Sequence, residues 1–99
     1  MSKPKTGLDC PIFIDPDGKE HQCIAWAIGL PQINWEWYGF ENDPADPDIY
    51  FGYVMGVEDE WWGYFSAAEL KERGIRLIVD RKSLNEIRPP IGWRKKEVK

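Results

Sequence analysis

Few side chains in this 99-residue sequence could carry out chemistry: a single histidine, two cysteines and the carboxylates. Nucleophilic catalysis needs a base that is oriented by a third group. His21 follows Lys19 and Glu20 beside a turn, and no constellation of Ser, Asp or Cys accompanies it in the sequence. We therefore interpret His21 as a residue of a hairpin strand, and we predict no catalytic residue and no enzymatic activity.

An acidic segment could bind a hard cation such as calcium through four carboxylates: Glu41, Asp43, Asp46 and Asp48. Calcium loops usually carry a glycine at a sharp turn and a regular spacing of ligands, whereas this segment carries Pro44 and Pro47. The run from Glu58 to Glu60 suits a solubilising turn better than acid–base catalysis, because glycosidase carboxylates face each other across a cleft. We expect no metal and no cofactor.

Charge is distributed unevenly along the chain. Residues 20–70 contain ten carboxylates and no Lys or Arg, while residues 71–99 contain ten basic and four acidic side chains. Ten charges correspond to about 17 Å of duplex DNA, so an acidic face of this density would attract a basic surface. We predict a non-enzymatic binding protein whose acidic face binds a basic protein surface, like a DNA mimic that inhibits a nucleic-acid-binding host defence system. The predicted contacts are Asp43, Asp46, Asp48, Glu58, Asp59 and Glu60.

Three alternatives remain open. The carboxylates could be ordinary solubilising charge that Arg76, Arg81 and Lys82 partly neutralise. The basic C-terminal third could make the chain a nucleic-acid-associated accessory protein, or the chain could be an enzyme without a recognisable motif. Stacking of single-stranded nucleic acid on the aromatic residues is disfavoured, because such platforms normally carry basic residues between the rings.

The stretch from Asp48 to Ser66 predicts the organising element. Two aromatic runs, Ile49–Met55 and Trp61–Phe65, flank a short acidic turn, which indicates a β-hairpin. Both faces of each run are apolar, so we expect a central hairpin that is covered on both sides. The following Ser66 and Glu69 form a capping-box pattern that predicts a short helix over about 66–73.

Further strands are expected on both sides of this hairpin. A turn at Pro16–Gly18 pairs Pro11–Ile14 with His21–Ile28, so Asp15 should lie opposite Lys19. In this register Cys10 lies near Ile24, Cys23 lies near Pro11, and the two thiols point to opposite faces and form no disulfide. The remaining assignments are a strand at Asn34–Phe40, a loop at Glu41–Pro47, a last strand at Ile75–Asp80 and a possible helical turn at Ser83–Arg88.

The sequence thus predicts an α+β fold, with an antiparallel meandering sheet of about five to six strands and one short helix before the last strand. A single domain should span residues 1–99, with mobile tails at 1–8 and 94–99. No apolar run reaches 18 residues and no signal peptide is recognisable, so we expect a cytoplasmic protein that does not span a membrane.

The segment from Asn34 to Asp80 resembles a family of small bacterial domains of unknown function, encoded largely on plasmids, phages and integrative elements. The resemblance covers about half of the chain, and neither the Pro11–Ile28 hairpin nor the segment after Lys82 belongs to it. It implies a fold and a mobile-element context but no catalytic residue. Its motifs consist of Asn34, Trp35, Trp37 and Tyr38; Phe51, Gly52, Tyr53, Val54 and Gly56; and Glu60, Gly63, Tyr64, Phe65, Ser66, Glu69 and Leu70.

Overall fold

A computed structural model describes residues 10–29, 35–56 and 60–96. The fold is broadly α+β and richer in strands than expected, because these residues form eight strands in two antiparallel sheets, with two short helices. In chain order the elements are β1 (Ile12–Ile14), β2 (Glu20–Gln22), β3 (Ala25–Ile28), β4 (Glu36–Asp43), β5 (Asp46–Met55), β6 (Glu60–Ser66), α1 (Ala67–Glu72), β7 (Leu77–Ile78), α2 (Arg81–Leu84) and β8 (Arg94–Lys95).

The smaller sheet has the strand order β2-β1-β8. Its first hairpin has the predicted register, since the Asp15 amide donates to the Lys19 carbonyl at 2.9 Å and the Cys23 amide donates to the Pro11 carbonyl at 2.8 Å. Gly18 closes the turn with φ of +90°, a conformation that glycine adopts without steric cost. Neither cysteine forms a disulfide, as predicted, but the two side chains do not point to opposite faces, because Cys23 belongs to an apolar cluster against which Cys10 also packs.

The predicted strand His21–Ile28 is in fact two strands that belong to different sheets. β2 pairs with β1, whereas β3 pairs with β4 and β7. The change of neighbour takes place at Ile24, whose amide donates to the Gly39 carbonyl at 2.9 Å instead of to the first hairpin. Large and small apolar residues alternate from Cys23 to Ile28, across this point, and this pattern is the same for one strand as for two.

The larger sheet has the order β6-β5-β4-β3-β7, which corrects the prediction that the β5–β6 hairpin is central. β6 is an edge strand, and its Trp61, Trp62 and Tyr64 are exposed. Their rings are covered only in part: the Trp62 ring centroid lies 5.3 Å from that of Tyr53 in β5 and 5.0 Å from that of His21 in the smaller sheet.

The predicted loop Glu41–Pro47 is also wrong, because β4 continues to Asp43 and β5 begins at Asp46. Only Pro44 and Ala45 form the turn. The register jumps from Asn42 opposite Tyr50 to Asp43 opposite Asp46, so residues 47–49 of β5 have no partner on β4. Pro47 can therefore stand in this strand, since its missing amide hydrogen is not needed for pairing with β4.

The helix predicted after Ser66 is confirmed. The Ser66 side chain accepts a hydrogen bond from the Glu69 amide, and Gly74, with φ of +80°, follows the C-terminal residue Arg73. The chain beyond it differs from the prediction: β7 is only two residues long and is not the last strand, and the helical turn begins at Arg81, where Asp80 caps it.

Arg94 and Lys95, which the sequence analysis placed in the C-terminal tail, form β8 and pair with Ile14 and Phe13 of β1. The other expected mobile segment, residues 1–8, and the end of the chain from residue 97 lie outside the described residues.

Two apolar clusters stabilise the fold. Because Trp37 and Tyr38 are adjacent in β4, their side chains point to opposite faces of the larger sheet. The Tyr38 face packs against the smaller sheet in a cluster that contains Phe13, Cys23, Tyr38, Phe40, Tyr53, Leu84 and Trp93. The Trp37 face packs against α1 in a cluster that contains Ala27, Trp37, Val54, Phe65, Leu70 and Ile75.

Candidate protein-binding surface

The end of the β4–β5 hairpin carries two of the predicted contacts. Asp43 and Asp46 face each other across the two-residue turn. One oxygen of each carboxylate accepts a backbone hydrogen bond: Asp43 Oδ1 accepts from the Ala45 amide in the turn at 2.9 Å, and Asp46 Oδ1 accepts from the Asp48 amide at the start of β5 at 2.9 Å. The nearby Glu41 is exposed. The hairpin therefore ends in an acidic tip, defined here as Glu41, Asp43 and Asp46, which its own hydrogen bonds hold in place.

Asp48 has a structural role that the sequence did not indicate. Its Oδ2 accepts from the Ser66 hydroxyl at 2.9 Å and from the Ala68 amide at 3.2 Å. A carboxylate at the start of a helix satisfies unpaired amides and interacts favourably with the helix dipole. Asp48 thus joins β5 to the beginning of α1, and it is only half-exposed.

Glu60 lies at the opposite end of β5 from the acidic tip. It pairs with Met55, the last residue of β5, and accepts a hydrogen bond from the Tyr53 hydroxyl. Burial and this hydrogen bond raise the pKa of Tyr53 to about 12. At about 3.3 Å per residue, the nine steps from Asp46 to Met55 separate the two acidic ends by about 30 Å. The other two predicted contacts, Glu58 and Asp59, lie outside the described residues.

The aromatic side chains of β5 and β6 lie between these acidic ends. Trp62 and Tyr64 share one face of β6, where they contact Tyr53 and Phe51, whereas Trp61 lies on the other face. All three β6 rings are exposed. Exposed Trp and Tyr side chains are enriched at the energetic centres of protein interfaces, so this edge is a second candidate contact surface.

An Asp–His pair is the feature that the sequence analysis missed. His21 Nε2 lies 3.0 Å from Asp15 Oδ2, and the ring packs against Phe40, Trp62 and Trp93 at centroid distances of 5.0–5.4 Å. The hydrogen bond with His21 is the largest influence that lowers the pKa of Asp15. The predicted register contained the signal, since His21 lies opposite Phe13 and therefore diagonally from Asp15.

Asp15 and His21 match the carboxylate and the base of a catalytic triad, but no nucleophile among the described residues forms a hydrogen bond with His21. Within the described part of the chain, the hydrogen bonds of His21 lead to Asp15, and Asp15 accepts in addition from the amides of Asp17 and Lys19. These bonds fix the first turn and hold the imidazole against Trp62 and Trp93. The arrangement is suited to joining the smaller sheet to the aromatic face of β6.

Part of the basic C-terminal third is used within the fold. Lys95 Nζ donates to the Asn85 carbonyl at 2.6 Å, and Lys96 Nζ forms an ion pair with Glu20 at 3.1 Å. In the part of the chain described by the structure, no group of three His, Cys, Asp or Glu side chains is placed to hold a metal ion. None of the described helices has the length and apolar character needed to cross a membrane.

The chain was compared with protein-family models, with curated proteins and with solved structures, and no match was found in any of the three comparisons.

Proposed function

We propose that this chain is a non-enzymatic binding protein that uses the acidic tip of its β4–β5 hairpin to bind a basic protein surface. The observation that carries the proposal is the pair Asp43 and Asp46, which face each other at the end of the longest hairpin. One oxygen of each aspartate accepts a backbone hydrogen bond, so the positions of the charges are set before a partner binds. Pre-organised charges lose little conformational entropy on binding.

The surrounding charge supports a basic partner rather than a nucleic acid. The sequence from Glu20 to Leu70 contains no Lys or Arg, so all of β3 to β6 lacks a basic side chain. A phosphate backbone would be repelled by such a surface, whereas a basic surface would be attracted to it over a distance set by the Debye length, about 8–10 Å at physiological salt.

The sharper form of the proposal is mimicry of DNA by a protein of a mobile genetic element that inhibits a nucleic-acid-binding defence protein of its host. The acidic tip and Glu60 lie about 30 Å apart along β5, close to the repeat of about 34 Å in duplex DNA. A protein that binds phosphates one helical turn apart could therefore contact both the acidic tip and Glu60. In this form, Glu58 and Asp59 are further predicted contacts, and Asp48 supports the tip from the side of α1.

The test compares two variants of equal charge as baits for proteins of a bacterial host lysate. The tip variant is Asp43→Asn with Asp46→Asn, because an asparagine oxygen can still accept the backbone hydrogen bonds while the charge is removed. The matched control is Asp17→Asn with Glu86→Gln, at exposed positions away from the tip.

We expect the parent and the control to retain the same basic nucleic-acid-binding protein, and the tip variant to bind it at least tenfold more weakly. The affinity of the parent should fall as salt rises, and the parent should displace a duplex DNA probe from the captured protein. Equal binding by the tip variant and the control would refute the acidic tip as the binding site. If the parent binds DNA in the absence of any other protein, and binds it more weakly as salt rises, the chain is instead a nucleic-acid-associated protein.

A further inference from the structure

The outer strand β6 differs from the other sheet edges that the structure describes. β2, β7 and β8 are two or three residues long, and β2 and β8 contain charged side chains. Short and charged edges protect a sheet from pairing with another chain. β6 has seven residues, pairs with β5 without a register shift, and carries no charge after Glu60. It therefore lacks the protection that the other edges have.

The side chains of β6 are also exposed to an unusual extent. Trp61 is 41% exposed, Trp62 is 42% exposed and Tyr64 is 67% exposed. These rings belong to a strand whose outer edge is unpaired among the described residues. A third strand added beside β6 would satisfy its outer backbone groups and would cover the flanks of all three rings.

We infer that β6 pairs in antiparallel orientation with β6 of a second copy of this chain, about a twofold axis at Gly63. Gly63 is the middle residue of the strand, so this register uses its full length. Trp62 of each copy then lies opposite Tyr64 of the other, and Trp61 lies opposite Phe65. Cross-strand pairs of aromatic residues are among the favourable pairs in antiparallel sheets.

The local geometry at Gly63 fits this axis. A Cβ atom at Gly63 would lie 3.3 Å from Trp61 Cδ1 and 3.4 Å from Trp61 Nε1, so the Trp61 indole leans over the glycine of its own strand. Pairing of Gly63 with its equivalent leaves room on this face, because neither glycine has a side chain. The two Trp61 indoles can then meet above the axis.

The charge of the strand favours a second copy over a basic protein as the occupant. The sequence from Trp61 to Ser66 carries no charge, so it gives a basic partner no carboxylate to contact, whereas it complements itself ring against ring. In the proposed register Glu60 lies opposite Ser66 of the other copy. The only charged residue of the strand therefore faces a hydroxyl instead of its own equivalent.

The register brings carboxylates of the two copies together at each end of the joint sheet. Ser66 donates to Asp48, so Glu60 of one copy approaches Asp48 of the other. Like charges repel less strongly as salt screens them. Self-association should therefore strengthen as salt rises, which is the opposite of the salt dependence expected for binding of a basic partner, and the two interactions can be told apart.

The size of the surface sets the expected strength. Three rings of about 200 Å² each, exposed as observed, offer roughly 300 Å² per copy and about 600 Å² per pair. This is below the 1,200–2,000 Å² or so of stable interfaces. We therefore expect weak self-association, with monomers and dimers in rapid exchange and dimers populated at high concentration.

The experiment is sedimentation velocity of the full chain from about 1 to 500 μM, with the parent and two lysine variants. Tyr64→Lys adds a charge to the unpaired edge at its most exposed ring. Ile91→Lys, at a residue that is 86% exposed and lies outside the strands, is the matched control. We expect concentration-dependent dimers for the parent and the control and monomers for Tyr64→Lys. A parent that stays monomeric at 500 μM, or a Tyr64→Lys variant that dimerises like the control, would overturn the inference.

A crosslink tests the register without relying on that substitution. Residues directly opposite in an antiparallel pair have Cα atoms about 4.5–5.5 Å apart, within the range that a disulfide spans. Gly63→Cys in a Cys10→Ser background should therefore form a disulfide-linked dimer on oxidation. Glu60→Cys in the same background should form much less, since its equivalent lies six residues out of register and the substitution removes no ring. Equal crosslinking of both variants would contradict an axis at Gly63.

Discussion

Gly52 occupies a position in which the structure leaves no room for any side chain. It lies in β5 between Gly39 of β4 and Gly63 of β6, so three glycines form a row across three strands. A Cβ atom at Gly52 would overlap the Tyr38 carbonyl oxygen and would lie 2.9 Å from the Tyr38 carbonyl carbon and 3.0 Å from Gly39 Cα. All of these are backbone atoms, so no side-chain rotation can relieve the overlap.

We expect Gly52→Ala to cost about 3 kcal/mol or more, the upper end of the range for overpacked sites, because β4 must move away from β5. At about 4–8 °C per kcal/mol for a domain of this size, the thermal midpoint should fall by roughly 12–24 °C. Thermal unfolding followed by circular dichroism measures the effect.

The matched control is Gly63→Ala, in the same row. Its Cβ atom would meet only the Trp61 indole, 3.3 Å away, and that side chain can shift at the sheet edge. An alanine also reduces the freedom of the unfolded chain, which favours folding by about 0.4–1 kcal/mol. We therefore expect a change of at most about 1 kcal/mol. Equal midpoints for Gly52→Ala and Gly63→Ala would refute the close approach of Tyr38 to Gly52.

Three further predictions concern single contacts. Phe65 is buried in the cluster beneath α1, so Phe65→Ala should cost about 3–5 kcal/mol and lower the midpoint by well over 10 °C; an unchanged midpoint would mean that the ring is not packed. Ser66→Ala removes a helix cap and should cost about 1 kcal/mol. In an Asp48→Ala background the loss of stability caused by Ser66→Ala should be smaller, because the two side chains share a hydrogen bond. Strictly additive losses in the double variant would contradict the shared cap. The pKa of Asp15 is lowered in the fold, chiefly by its hydrogen bond with His21, so the stability it provides is present above its unfolded pKa near 3.9 and is lost as pH falls through its folded pKa. Urea unfolding of Asp15→Asn from pH 7 to pH 2 should therefore show a smaller loss of stability than the parent, and parallel pH profiles would contradict this.

The parts of the fold that the sequence predicted well are those set by near neighbours. A turn with proline, aspartate and glycine determined the pairing of Asp15 with Lys19, and a capping pattern located the start of α1 at Ser66. Both depend on contacts between residues a few positions apart. The change of sheet at Ile24 depends instead on Gly39, fifteen residues away, and alternation of apolar residues carries no information about which strand is the neighbour.

The candidate surface was predictable in composition and not in arrangement. The excess of carboxylates is visible in the sequence, but their grouping depends on β5. This strand begins at Asp46 and ends at Met55, which pairs with Glu60. The capping role of Asp48 required knowledge that β5 runs beside the start of α1. The apolar faces of β6 predicted a covered strand. This prediction was wrong because the sequence alone cannot distinguish rings that face a core from rings that cover one another at a sheet edge.

The closure of the smaller sheet has a consequence for the order in which the chain folds. β8 pairs with β1, although Phe13 and Lys95 lie about eighty residues apart in the chain, whereas β4, β5 and β6 are joined by short connections. Closing a longer loop costs more entropy, and pairings between distant segments slow folding. The β4–β5–β6 meander can therefore form early, while β8 docks late and opens first. Amide hydrogens at the β1–β8 pairing should accordingly exchange with solvent sooner than those between β4 and β5.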